Sequence, residues 1–197
     1  MKFAYADPPY LGCAQYYRVH HPEADIWDDP ETHRTLIERL CDEFPDGWVM
    51  SLRERGLRTL LPMCPEDARV GCWITENSRF ANRLPVQRYF EPVIWRGGRP
   101  WSGKARCADW VLTKRPGTIP GTERLRSKYK DQPQAFLGRK PPAFCEWIFD
   151  LIGAQPGDDF HDLFPGSGAV SAAWAKRCGA QPDLPLTPLE KLVAERA

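Results

Sequence analysis

Residues 159–179, DFHDLFPGSGAVSAAWAKRCG, place a short strand, a glycine-rich turn and a small-residue helix in direct succession. That succession is the unit of an α/β domain, and the rest of the chain repeats the alternation. Strands are expected at 2–6, 48–52, 70–75, 89–95, 109–114 and 159–163. Leu36, Ile37, Leu40 and Phe44 recur at helical spacing, and Asp29 before Pro30 supplies an N-cap and a proline at the first helical position. A helix is therefore predicted over 30–44, and a short one around 54–61. Phe144, Ile148, Leu151 and Ile152 share one face of a predicted helix at 141–152, with Gly153 at its stop. The stretch 11–29 reads as a polar, aromatic, turn-rich loop. At 197 residues the chain is read as a single domain, 1–197, with room for a real core.

Composition excludes several classes. With 42% hydrophobic and 27% charged residues the chain reads as an ordinary globular protein, and no apolar run approaches a membrane span. The seven cysteines are scattered and form no CxxC pair, which favours reduced thiols and a cytoplasmic setting over a disulfide framework or a zinc site. His20, His21 and His33 with Cys13 fit no metal spacing and read as polar loop histidines, so no metal is expected. The net charge of +1 conceals an asymmetry: residues 96–140 carry twelve Lys/Arg against three Asp/Glu, while both flanks are acidic. A basic insert at 97–140 is the expected polyanion-contacting surface.

Two motifs carry chemistry. In the turn Pro165-Gly166-Ser167-Gly168 the glycines permit tight turning, and the following helix presents unpaired N–H groups to a ligand. In Asp7-Pro8-Pro9-Tyr10, two prolines end the first strand behind a carboxylate. In a parallel α/β sheet that end of the strand is the ligand side. Asp7 can accept one hydrogen bond from an exocyclic amine, the Pro8 carbonyl can accept a second, and the Tyr10 ring can stack on the base that bears the amine.

With both motifs in view, the chain resembles the S-adenosylmethionine-dependent amino-group DNA methyltransferases, in the permuted order that puts the catalytic motif before the cofactor motif. Asp7-Pro8-Pro9-Tyr10 matches the family's D/N/S-P-P-Y/F/W motif. The 37 residues GRKPPAFCEWIFDLIGAQPGDDFHDLFPGSGAVSAAW, 138–174, match its cofactor block without a gap, and EPVIW at 91–95 is similar to a family strand that carries Glu. The resemblance implies a Rossmann-like methyltransferase sheet and S-adenosylmethionine as cofactor. It implies that Asp7, Pro8, Pro9 and Tyr10 hold and stack an everted base. It further implies that Lys140 lies near the cofactor carboxylate, and that Asp162, Phe164, Gly166, Ser167 and Gly168 cradle the cofactor. Asp before the prolines favours adenine N6 in DNA; cytosine N4, RNA adenosine, and a nucleic-acid-binding regulator that kept the fold are the alternatives.

The chain departs from the family beyond the glycine turn. Only 29 residues follow Gly168, and 177–182 is no strand, so the sheet is expected to be shortened there. Asp183 stands in poorly for the missing ribose-binding acid, which leaves Trp174, Lys176 or the 11–29 loop. The strand at 159–163 then lies at an edge that needs a cover. The segment TPLEKLVAERA, with Thr187 and Glu190 as a capping box, is expected to be a helix that packs there, in its own chain or in a dimer mate. No separate recognition domain is visible. Arg96, Arg99, Lys104, Arg124, Arg126, Lys128 and Lys130, interleaved with Trp101, Trp110 and Tyr129, are the expected nucleic-acid contacts. The small size, with no partner in view, fits a phage or bacterial mobile element.

Overall fold

The computed structural model describes residues 1–18, 23–79, 88–103, 106–113 and 139–180. Six strands form one sheet: β1 (Lys2–Ala6), β2 (Gly47–Ser51), β3 (Arg69–Arg79), β4 (Arg88–Gly97), β5 (Trp110–Thr113) and β6 (Asp159–Asp162), in the order β5-β3-β4-β2-β1-β6. β1 pairs parallel with both β2 and β6, β3 pairs parallel with β5, and only β4 runs against its neighbours. The helices are α1 (Pro30–Glu43), α2 (Leu57–Leu60), α3 (Pro142–Leu151) and α4 (Ala169–Arg177).

β1 is buried on both faces, as a central parallel strand must be. Phe3 and Tyr5 face Phe144, Ile148 and Phe149 of α3, while Ala4 and Ala6 face Leu36, Ile37 and Leu40 of α1. The two clusters place a helical layer on each side of the sheet. Asp29 caps α1 by accepting a hydrogen bond from the Glu31 amide at 3.0 Å, with Pro30 in the first turn. The predicted helix at 54–61 is shorter than expected: α2 gives way at once to a 3₁₀ turn over Leu61–Met63, where Pro62 lacks the N–H that a continuing α-helix needs.

Three sequence expectations change. His33 is not a surface residue; it is 1% exposed, and its Nε2 lies 2.9 Å from the Trp27 carbonyl. The 11–29 loop is ordered where described: one Asp28 oxygen accepts from the amides of Gly12 and Ala14, and two 3₁₀ turns follow. β3 runs four residues past its expected end, while β4 starts one residue earlier and ends two residues later than expected. His20 and His21, the Thr187–Glu190 capping box and Asp183 lie outside the described residues. All seven cysteines are free thiols. Among the described residues no helix is long and apolar enough to cross a membrane.

One close approach fixes the far edge of the sheet. The amide of Cys72 donates to the Asp109 carbonyl at 2.9 Å, and Trp147 Nε1 donates to the Ala108 carbonyl at 2.8 Å. Gly71 lies between these contacts, and a Cβ there would stand 2.9 Å from the Asp109 oxygen and 3.1 Å from the Trp147 ring. Gly71→Ala is expected to cost about 2 kcal/mol, the range for overpacking, read as a shift in the urea midpoint at unchanged m.

Candidate active site

The C-terminal ends of β1, β2, β3, β5 and β6 and the start of β4 share one edge of the sheet. Pro8 and Pro9, both buried, cannot donate to a neighbouring strand, so the backbone leaves the sheet directly after Ala6. That exit puts the Asp7 carboxylate at the edge. β6 stands beside it in register, Tyr5 opposite Asp162, and the Leu163 amide donates to the Tyr5 carbonyl at 2.9 Å. Residues 155 apart in sequence, Asp7 and Asp162, thus meet at the ends of adjacent strands.

Asp7 is the centre of a polar cluster. Lys140 Nζ donates to its Oδ2, and the Tyr10 hydroxyl donates to its Oδ1 at 3.2 Å. The same hydroxyl also reaches Glu91 Oε2 at 3.4 Å. Lys140 is only 5% exposed and directly precedes Pro141, the N-cap of α3. A buried ammonium beside the positive end of a helix needs a carboxylate close by, which Asp7 supplies. Burial first, and then the Asp7 and Glu91 charges, push the Tyr10 phenol well above its ordinary pKa, so it remains a donor at neutral pH. Below the cluster the Tyr5 hydroxyl and Ser51 Oγ are 2.7 Å apart, both buried, which fixes the floor of the site.

At the end of β6, Asp162 Oδ2 accepts from Ser171 Oγ at 2.7 Å, while Oδ1 is buried without a hydrogen bond. Burial, with the Asp7 charge adding to it, raises its pKa, and the Ser171 hydroxyl acts against that rise. The turn beyond it is exposed at Pro165, Gly166 and Ser167. Gly166 and Gly168 hold left-handed φ of 47° and 71°, and a Cβ on Gly168 would meet nothing within 4 Å. The glycines therefore serve the turn and an open backbone surface, not packing inside the protein. α4 starts here, with its first-turn N–H groups directed toward the turn.

The other expected contacts are distributed unevenly. Phe164 is half-buried with its ring edge-on to Trp27 at 5.2 Å, so its side chain belongs to the core. Trp174 is partly buried and packs on Phe160 and Phe149 at 4.8 and 5.2 Å between centroids. Arg96 and Arg99 are not brought to the Asp7 corner. They lie at the opposite end of the sheet, where Arg96 Nε bonds Asp67 at 2.7 Å and Arg99 Nη2 bonds Asp158 at 2.6 and 2.7 Å. Arg106 lies over the Trp101 ring at 4.8 Å. Lys104, Arg124, Arg126, Lys128 and Lys130 lie outside the described residues. Glu91 and Ser171 are site members that motif reading did not assign. Glu91 was legible as a lone carboxylate in an apolar strand; Ser171 had no signal of its own. Among the described residues no group of three or more His, Cys, Asp or Glu could hold a metal ion.

The sheet order and the helical layers make a mixed α/β, Rossmann-like fold, with β6 at one edge among the described residues. No protein-family model matches the sequence, and no curated protein matches it. Among solved structures the chain is similar to the M1.HpyAVI–SAM complex, with a TM-score of 0.55 and 16% identity over 91% of this chain and 78% of that one. It is similar to M1.HpyAVI alone at a TM-score of 0.55 and 17% identity, over 90% and 77% of the two chains. At such identities the likeness is one of fold.

Proposed function

We propose that this protein is an S-adenosylmethionine-dependent methyltransferase acting on the exocyclic N6 amine of adenine in DNA. The observation that carries this reading is the Asp7 corner: a carboxylate held by Lys140 and Tyr10 at the end of β1, directly beside Asp162 and the glycine turn of β6. The likeness of fold to the M1.HpyAVI–SAM complex supports it.

The chain's own residues suit the cofactor. Asp162 Oδ1 is a buried acceptor lacking a donor, which a ligand amine or hydroxyl would satisfy. The exposed turn 165–167 and the α4 N-terminus offer backbone N–H groups, and Lys140 is a cation for a carboxylate. When bound, S-adenosylmethionine supplies a methyl group activated by its sulfonium charge. Asp7 accepts one N–H of the target amine. It has capacity to do so, because a carboxylate offers about four lone-pair directions and two are occupied here. The Pro8 carbonyl is the second acceptor, and two acceptors fix the direction of the amine lone pair. Lys140 and Tyr10 hold the carboxylate in place, so positioning, not covalent chemistry, accounts for the rate.

The test is transfer of label from methyl-labelled S-adenosylmethionine to DNA and to RNA, followed by digestion and identification of the modified nucleoside. N6-methyladenine from DNA is expected; N4-methylcytosine or label in RNA alone would redirect the substrate assignment, and no label would overturn the activity. Asp162→Asn is expected to weaken cofactor binding about tenfold by calorimetry, in keeping with the loss of one charged acceptor.

A further inference from the structure

β4 carries Glu91, Val93 and Trp95 on the face turned to α3, and the last two pack there against the core. A half-buried carboxylate in that row costs free energy unless polar groups meet it. The strand order brings one to it. β2, which separates β1 from β4, ends at Ser51 opposite Val93, and Glu91 lies two residues beyond that point. Tyr10, turned out of the sheet by Pro8 and Pro9, crosses the end of β2. Its hydroxyl stands 3.4 Å from Glu91 Oε2 and 3.2 Å from Asp7 Oδ1.

One hydroxyl proton therefore faces two carboxylates. A well-formed O–H···O bond is about 2.7–2.8 Å long, and both contacts are longer. The hydroxyl is shared, and neither carboxylate holds it outright. Lys140 occupies Asp7 Oδ2, and its ammonium also lies 6.0 Å from the centre of the Tyr10 ring. The ammonium neutralises Oδ2 more than Oδ1, so an incoming amine is drawn to Oδ1, the oxygen that the Tyr10 hydroxyl also approaches. Two donors on one oxygen repel each other, and each bond is weaker for it.

We propose that Glu91 is a positioning residue for methyl transfer: it takes over the Tyr10 hydroxyl when the target amine occupies Asp7. The proposal rests on the methyltransferase reading above and adds a residue to it. Tyr10 holds Asp7 before the amine arrives, and Glu91 holds Tyr10 afterwards. With the hydroxyl turned to Glu91, Asp7 Oδ1 is left to the amine, and the Tyr10 ring stays anchored as a stacking surface. No covalent bond forms or breaks in this exchange; the Tyr10 O–H keeps its proton and changes its acceptor.

The experiment is a double-mutant cycle on label transfer from methyl-labelled S-adenosylmethionine to unmethylated DNA, with the full chain. Glu91→Leu is expected to lower kcat about tenfold, the contribution of one hydrogen bond, with KM for DNA within about twofold. Glu91→Gln keeps a carbonyl acceptor and should recover most of the rate. In a Tyr10→Phe background there is no hydroxyl to take over, so Glu91→Leu should change kcat by less than about twofold. Calorimetry should give every variant an S-adenosylmethionine affinity within about threefold of wild type. Effects that multiply in the double variant overturn the proposal and leave the methyltransferase reading intact. A raised KM at unchanged kcat, or a parallel loss of cofactor affinity, overturns it too, because Glu91 is then a contact for nucleic acid or for cofactor. A wild-type chain that transfers no methyl group to DNA or RNA overturns both. One readout is independent of activity and of whether Glu91→Leu folds: the ring-carbon NMR resonance of labelled Tyr10, assigned by its loss in Tyr10→Phe. It is expected to shift in Glu91→Gln, and an unmoved resonance overturns the proposal.

Discussion

Asp7→Asn is expected to lower the rate constant of methyl transfer about 1,000-fold, near the upper end of what removal of one preorganised polar group costs. Asparagine preserves the size of the side chain, so the buried prolines and the strand exit stay in place. It replaces one acceptor oxygen by an N–H₂ group that faces either Lys140 or the Tyr10 hydroxyl, both of which donate to Asp7, and leaves fewer lone pairs for the target amine. One of those contacts therefore becomes a repulsion. The carboxylate charge opposite Lys140, itself 5% exposed, is lost as well. Cofactor affinity, measured by calorimetry, should stay within about threefold, a difference below 1 kcal/mol. That split is the informative part: a variant that loses cofactor binding and transfer in parallel would make Asp7 a cofactor ligand. A variant that retains transfer within about tenfold would remove it from the amine-binding role. Asp7→Ala is the less clean substitution, because it also leaves the Lys140 ammonium without its carboxylate.

Asp158→Ala is expected to destabilise the fold by about 2 kcal/mol, below the cost of breaking a fully buried ion pair, because the network is only partly buried. Asp158 has 8% side-chain exposure and accepts four contacts from three groups: the Met1 ammonium at 3.0 Å, Arg99 Nη2 at 2.6 and 2.7 Å, and the Gln155 amide at 2.7 Å. Arg99 in turn donates from Nε to the Gly153 carbonyl at 3.0 Å, and its amide donates to the Ile152 carbonyl at 2.9 Å. One carboxylate thereby ties the start of β1, the segment after β4 and the turn before β6. Burial alone would raise the Asp158 pKa; Arg99, the Gln155 amide and the terminal ammonium outweigh it and hold the group down to about 2. A depressed carboxylate stabilises the fold above the unfolded-state value near 3.9 and loses that contribution as pH falls through the folded value. Urea unfolding should therefore show the full difference between wild type and Asp158→Ala at about pH 7, and a much smaller one near pH 2. An equal difference at both pH values would mean that packing, not charge, is what the variant loses.

Much of the site was legible before any contact was known. Pro8 and Pro9 end a strand wherever they occur, and Gly166 and Gly168 turn a chain from strand to helix through φ values that other residues avoid. Asp29-Pro30 announces the start of α1 for the same local reason. The ends of β3 and β4 were not legible. Glu76-Asn77-Ser78-Arg79 contains no apolar residue, so the alternation by which strands are recognised is absent there. His33 was misplaced because a polar residue on a helix shows its burial only through its partner, here the Trp27 carbonyl three residues before α1 begins.

The basic residues make the same point with larger consequences. As letters, Arg96, Arg99 and Lys140 belong to one positive segment. In the fold Lys140 faces Asp7 at one end of the sheet, while Arg99 holds Asp158 and Arg96 holds Asp67 at the other. By itself the sequence determined the α/β alternation, the proline corner and the glycine turn, because each follows from dihedral preferences and hydrogen-bonding capacity within a few residues. Only the tertiary structure decided which charge meets which. It set β1 against β6 so that Asp7 stands beside Asp162, and it carried β3 and β4 past the end of β2. Ion pairs and strand registers across more than a hundred residues depend on how the layers pack, and no local preference encodes that.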